Sequence, residues 1–415
     1  MGKIREPPGA FRNQFPPGEL EIAQPGELPA LTTHLPTGPA ARQARDESSN
    51  LILIAADAAG GTFQYSLDLA RGLARLGHDT LLALTGPAAS SEQIKAATGI
   101  PRLRLVDTGV EVEWGDEDSL AEAAQAIASL AAEAGADVVQ LNMPALAGLA
   151  DFARPVVAVL HDCVATRWDS VQGTELPDEF AWRTALVAEG LRAADLVVTP
   201  SAAFGESVRR RYRLDAAPRT VHHGRSPLAV PSGAPHDFIF TAGRLWDEGK
   251  NLGMLDAAAG RIGVPVRAAG PLAGPNGARV MFDNIHCLGT LDEEELGRWL
   301  SARPVFVSTA LHEPFGLSVL EAASAGCALV LSDIPTFREL WDEVAVFVDP
   351  RDEKGFARAV GDLVGDDFER AVLGRAAKER SARYTPDAMA AQMASLYREL
   401  LPAVRRPVLA AARAA

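Results

Sequence analysis

Residues 304–326 read PVFVSTALHEPFGLSVLEAASAG. Val305, Phe306 and Val307 form a continuous apolar run with no polar face, the pattern of a strand buried on both sides. A short polar loop follows, then small and apolar residues at helical spacing, so a helix is predicted to begin near Phe315 to Leu317. Glu313 falls in the loop and Glu321 about one turn into the helix. A buried strand handing over to a helix is the repeating unit of a parallel α/β sheet, and the rest of the chain can be tested against that unit.

Working outward, the same alternation recurs on both sides. Upstream lie LILIAA (51–56), TLLAL (80–84), DVVQL (137–141), PVVAVL (155–160) and DLVVTP (195–200), separated by amphipathic segments such as FQYSLDLARGLARLG (63–77). Proline and glycine then cluster in HHGRSPLAVPSGAPH (222–236), which reads as a hinge. The alternation restarts with DFIFTAGR (237–244), VPVRAAG (264–270), NIHCLG (284–289), the opening stretch, CALVLS (327–332) and VAVFVDP (344–350). The expectation is an α/β protein of two Rossmann-like doubly wound parallel-sheet domains facing an interdomain cleft. Residues 1–48, with eight prolines and five glycines in the first 40 positions, read as an irregular arm. The domains are then 49–225 and 237–385, joined by 226–236, with helices over 386–415 expected to pack back on the first domain.

Bulk properties narrow the function classes. A chain of 415 residues exceeds what one core usually supports. Its formal net charge of −14 argues against a nucleic-acid partner, which normally requires a basic face. Cys163, Cys287 and Cys327 are far apart and suggest neither a disulfide framework nor a metal site, as expected of a reducing cytoplasm. The start MGKIREPPGA lacks the apolar core of a secretion signal, and no run of eighteen apolar residues occurs. Arg209, Arg210, Arg211 and Arg213 in SVRRRYRL admit a weak peripheral contact with an anionic membrane; a solvated helix end is the reading that so acidic a chain favours. GDEDSL (115–120) precedes a helix and reads as a cap, not a metal site.

Ligands of such sheets lie outside the carboxyl ends of the strands, so the residues there matter most. Gly60 and Gly61 follow the first strand, where the backbone can approach an anion or sugar, although a plain tight turn explains them equally. His161 follows PVVAVL; without other context it is a structural histidine. Arg244 ends the first strand of the second array and Lys250 lies six residues on, so the two can converge on a diphosphate or remain two solvated loop charges. The amides of Phe315, Gly316 and Leu317 can face an anion at the helix start. Flanked by Glu313 and Glu321, that turn suits a nucleotide sugar: one carboxylate for sugar hydroxyls, one for the ribose, and the diphosphate between them.

Together GG after the first strand, VVAVLH, GRLWDEGK, HEPFGLSVLEA and SDIPTFRELWDEVAVFVDP resemble the retaining glycosyltransferases of family four, with the GT-B two-domain fold, over about residues 50 to 385. The resemblance implies that Arg244 and Lys250 hold the donor diphosphate, Glu313 lies beside the transferred sugar and Glu321 on the ribose. It places Phe315, Gly316 and Leu317 at the turn against sugar and phosphates, His161 near the reacting centre and Gly61 in the N-terminal loop. It implies transfer of a hexose-type sugar from a nucleoside diphosphate sugar to a hydroxyl acceptor by front-face displacement, with no metal or other cofactor. The alternatives are an epimerase or phosphorylase of the same fold, or a silent nucleotide-sugar-binding subunit. The acceptor is not readable from the chain.

Overall fold

The computed structural model describes residues 49–401 apart from 59–60, 111, 113–115, 230–235 and 275–276. The expected N-terminal arm, Gly60, most of the expected hinge and the end of the chain lie outside the described residues.

The first domain carries strands β1 (Leu51–Ala56), β2 (Asp79–Leu84), β3 (Leu103–Asp107), β4 (Val138–Leu141), β5 (Val156–Val159), β6 (Leu196–Thr199) and β7 (Arg219–Thr220). Its helices are α1 (Gly61–Arg75), α2 (Ser91–Thr98), α3 (Glu117–Ala134), α4 (Val164–Val171), α5 (Ala181–Ala193) and α6 (Ala202–Tyr212). The second domain has strands β8 (Ile239–Ala242), β9 (Val266–Ala269), β10 (Ile285–Cys287), β11 (Val305–Ser308), β12 (Leu329–Ser332) and β13 (Val346–Val348). With them come α7 (Leu252–Ala259), α8 (Glu293–Ser301), α9 (Leu317–Ala325), α10 (Pro335–Trp341), α11 (Glu353–Gly365) and α12 (Asp367–Ser381), and α13 (Pro386–Leu400) ends the described chain.

The sheet orders are β3-β2-β1-β4-β5-β6-β7 and β10-β9-β8-β11-β12-β13, and every strand pair within them is parallel. Both orders reverse direction beside their first strand, at β1/β4 and at β8/β11, which opens a crevice at the strand ends there. The expected doubly wound pair of sheets is present.

The burial pattern explains why the strands read as unbroken apolar runs. Along β1, Leu51, Leu53 and Ala55 join the core on one face, while Ile52, Ile54 and Ala56 join the core on the other. In the second sheet Phe306 points to one core while Val305 and Val307 point to the other. Alternation cannot show when both faces are dry.

Asp116 caps α3, its carboxylate accepting from the amides of Asp118 and Ser119, as expected of GDEDSL. At the far end of the chain, Met389, Ala390, Met393, Leu396 and Tyr397 of α13 enter the same core as Leu67, Leu69 and Leu73 of α1. Gly72 permits this approach: a Cβ there would lie 2.5 Å from Ala390 Cβ and 2.6 Å from the Pro386 carbonyl oxygen. The chain after the second sheet is thus packed into the core of the first domain. Further links cross between domains: Ser201 Oγ donates to the Pro314 carbonyl at 2.7 Å, and Glu339 of α10 accepts from the first amides of α6 at 2.9 and 2.7 Å. No helix among the described residues is long and apolar enough to cross a membrane.

Candidate functional site

The two switch points face one cleft of about 840 Å³. Gly61, His161, Arg244, Lys250, Glu313, Phe315, Gly316, Leu317 and Glu321 all line it. Among the described residues, these expected site residues therefore lie on one wall or the other of the same groove.

The opening stretch shows how. After β11 the chain turns through His312 to Gly316 and enters α9 at Leu317. Gly316 occupies the N-cap with φ of 92°, in the left-handed region, where a Cβ would also meet the Phe337 ring at 3.1 Å and Glu313 Cγ at 3.4 Å. No side chain caps α9, so its first-turn amides keep their donors toward the cleft. Gly61, at the start of α1 across the groove, comes within Cβ reach of Leu317 Cδ1, at 4.0 Å. The cleft is narrow here.

Each charged residue of the expected set has a protein partner. Lys250, at the end of a short 3₁₀ turn (Glu248–Lys250), forms an ion pair with Glu313. That pair uses one of the three ammonium donors and leaves two for another anion. Arg244, half exposed, donates through Nε and Nη2 to Asp247 Oδ2 at 3.1 and 2.8 Å and lies 3.8 Å from Asp162. Glu321 accepts from Arg225 Nε at 2.9 Å.

Several members of the site escaped the sequence reading. Arg225, which the sequence places at the end of the first domain, sits among Glu321, Asp68 of α1 at 3.2 Å and Glu293 of α8 at 2.6 Å. It is 10% exposed and Asp68 1%, so the cluster joins both domains beneath the cleft. Burial pushes the Glu321 carboxyl above its ordinary range, and Arg225 only partly opposes this. On the other flank Asp162 accepts from His312 Nε2 at 2.9 Å and pairs with Arg167, which also reaches Asp247 at 3.4 Å. Burial tends to raise the Asp162 carboxyl, but His312 and Arg167 together hold it well below the usual carboxylate range. The signal for these was faint but present: Asp162 and Arg167 follow the expected histidine in HDCVATRW, and Asp247 lies between Arg244 and Lys250.

His161 sits in a polar chain that fixes its tautomer. Ser66 donates its hydroxyl to the Thr62 carbonyl at 2.8 Å, so its oxygen accepts from Asn142 Nδ2 at 2.9 Å. Asn142 Oδ1 therefore faces His161 Nε2 at 3.2 Å and requires that nitrogen to carry the proton. His161 Nδ1 then accepts from His223 Nε2 at 3.1 Å. Tyr65 and Phe315 pack on the pair, with ring centroids at 4.5 Å from His161 and 5.1 Å from His223 respectively. Burial lowers His161 to about 4 and His223 well below the usual histidine value, so both are neutral near pH 7. Both ring nitrogens of His161 are thus engaged by the protein.

The arginine cluster of α6 lies elsewhere: Arg209 pairs with Glu206 at 2.7 Å and Arg211 with Asp169 at 3.2 Å. Among the described residues no group of three or more histidine, cysteine or acidic side chains is placed to hold a metal ion.

With this geometry in place, comparison with known proteins gives a consistent result. Residues 59–226 match the profile of Glycosyltransferase Family 4, and residues 279–380 that of Glycosyl transferases group 1. D-inositol 3-phosphate glycosyltransferase of Corynebacterium urealyticum is 31% identical over 206 residues, covering 44% of this chain and 47% of that protein. In such alignments the chain spans about half the length of the curated relatives it matches. Sucrose-phosphate synthase from Thermosynechococcus elongatus superimposes with a TM-score of 0.68 at 21% identity, over 85% of this chain and 99% of that one. The Anabaena protein HepE, solved in complex with UDP-glucose, does so at 0.63 and 17% identity, over 85% and 100%. These structures share the fold. One profile falls within the first domain and the other within the second, together covering 270 of the 415 residues, and so the chain belongs to the family 4, group 1 glycosyltransferases of GT-B fold.

Proposed function

We propose that the cleft binds a nucleoside diphosphate sugar and passes a hexose-type sugar, with retention of configuration, to a hydroxyl of an acceptor held by the first domain. The observation that carries this reading is that Arg244, Lys250, Glu313, Glu321 and the uncapped start of α9 line one groove. The complex of the HepE fold relative with UDP-glucose supports a donor of that class.

In this reading the diphosphate lies on Arg244, Lys250 and the first amides of α9, where cations and a helix N-terminus act together. Glu313 accepts hydroxyls of the transferred sugar, and Glu321, steadied by Arg225, accepts those of the ribose. The C1–O bond to the phosphate breaks as the acceptor oxygen bonds C1 on the same face, and the acceptor proton passes to the departing phosphate oxygen. No side chain has to take that proton. His161, neutral and engaged at both ring nitrogens, shapes the wall beside the reacting carbon and is not an acid or base.

Catalysis is then electrostatic. A unit charge pair at about 4 Å gains about 1 kcal/mol in water and about 4 kcal/mol at an effective dielectric near 20, so the partly buried Lys250 contributes more than the half-exposed Arg244. The mechanism calls on no metal or other cofactor, because the two cations and the helix start supply the charge. The arginines of α6, engaged by Glu206 and Asp169, fit a solvated helix end better than a membrane contact.

A thermal-shift screen against nucleoside diphosphate sugars, followed by product analysis of any stabilising donor, tests the reading. Stabilisation grows as RT ln(1 + [L]/Kd), so a true donor raises the unfolding temperature with concentration. A panel in which no such donor stabilises the protein would remove the proposal. Donor consumption that needs inorganic phosphate would point to a phosphorylase.

A further inference from the structure

Four permanently charged cations line the cleft: Arg167, Arg183, Arg244 and Lys250. Three of them meet carboxylates of the protein: Arg167 with Asp162 and Asp247, Arg244 with Asp247, and Lys250 with Glu313. Arg183 differs. Among the described residues it has no carboxylate partner, and its Nε is buried without a hydrogen-bond acceptor. Among the described residues its guanidinium meets the Trp182 ring, 5.3 Å from the centroid.

A buried guanidinium N–H without an acceptor is rare. Arg183 belongs to the first turn of α5, in the domain opposite the one that supplies Arg244, Lys250, Glu313 and Glu321. Thr184 beside it also lines the cleft, and its hydroxyl makes no hydrogen bond among the described residues. Val187, one turn further along α5, is buried and also lines the cleft.

We propose that Arg183, with Thr184, anchors an acceptor subsite for a phosphate monoester, so that the hydroxyl receiving the sugar belongs to a phosphorylated molecule. The inference deepens the glycosyl-transfer reading and rests on it for the word acceptor. The guanidinium fork matches phosphate oxygens two at a time, and the hydroxyl adds a third donor. A phosphate held on the first domain leaves the other end of the molecule to reach the donor sugar held on the second.

The test is calorimetric titration of inorganic phosphate into the full chain saturated with UDP, which keeps the donor phosphate positions filled. The wild type is expected to show saturable binding, Arg183→Gln at least a tenfold loss, and Arg183→Lys an intermediate loss. UDP titrations of the same proteins report folding and the donor site separately. With a donor identified, transfer to glucose 6-phosphate should exceed transfer to glucose, and the ratio should collapse in Arg183→Gln. Coincident phosphate isotherms for wild type and Arg183→Gln, or no saturable phosphate binding to the UDP-loaded wild type, would overturn the subsite while leaving the donor reading intact. If UDP does not bind, the nucleoside diphosphate of a donor that stabilises the chain takes its place; if none binds, the donor reading falls, and phosphate is titrated into the free chain: dependence on Arg183 keeps the anion site, and independence removes it.

Discussion

Replacing Arg225 by methionine removes the one guanidinium that joins Asp68, Glu321 and Glu293. The three carboxylates are not equivalent. Glu293 is 65% exposed and rehydrates at little cost. Asp68 is buried but keeps Arg71 at 2.9 Å and Gln64 at 3.1 Å. Glu321 has no second cation among the described residues, and burial already raises its carboxyl. Breaking a buried pair from one side costs roughly 3–5 kcal/mol, and with Asp68 partly compensated about 3 kcal/mol is expected for Arg225→Met. Glu321→Gln should cost about 1 kcal/mol, because Arg225 keeps two other acids and the amide can still accept a hydrogen bond. Together the two changes should cost about 2 kcal/mol, so the coupling energy is about 2 kcal/mol and favourable. Urea unfolding of the four proteins, followed by fluorescence and circular dichroism together, measures it. Additivity within about 0.5 kcal/mol would refute the reasoning, since the two side chains would then act independently. The same variants link packing to function: Arg225→Met should weaken binding of the donor nucleotide, because among the described residues nothing else orients the Glu321 carboxylate.

Lys250→Met should reduce transfer at least a hundredfold with the fold intact, since loss of one donor to a developing anion is worth about 3 kcal/mol of barrier; near-normal turnover on the identified donor would contradict the role given to it. Gly72→Ala should destabilise by about 1–3 kcal/mol through the clash with Ala390 and Pro386, read as a lower unfolding temperature, and an unchanged value would mean that α13 is not seated on α1 as described. Acidification should also destabilise the first domain. Because the folded chain holds His161 near 4, its stabilisation is complete above the unfolded value near 6.5 and is lost as pH falls toward 4, by up to about 3 kcal/mol; the effect should be smaller in His161→Gln, and parallel pH profiles for the two proteins would argue against a neutral buried imidazole.

Much of this was legible in the residues alone, and the misses have physical causes. Strands such as LILIAA and PVFV were plain because both faces are buried. β3, LRLVD, was overlooked because it lies at the sheet edge and is half exposed, so its residues mix polar and apolar, and β7 is only two residues long. The positions of Glu313 and Glu321, in the turn and in the helix after a strand, were legible because a strand end, a glycine turn and a helix are all local features. Arg225 was not, because it sits where proline and glycine gather and the chain reads as a linker, while its partners lie 157 and 96 residues away. The histidine assignment shows the same limit. His161 could be placed at a strand end from sequence, but His223 and Asn142, which occupy its nitrogens, come from other strand ends.

By itself, the chain determined that two parallel sheets form, where their strands stop, and which acids and cations stand at those ends, because apolar periodicity and turn chemistry act between near neighbours. The tertiary structure decided which charges neutralise one another and that, of the four cations lining the cleft, Arg183 alone meets no carboxylate among the described residues. Ion pairs and ring tautomers are set by groups that meet only when distant segments pack, and burial then fixes the strength of each contact.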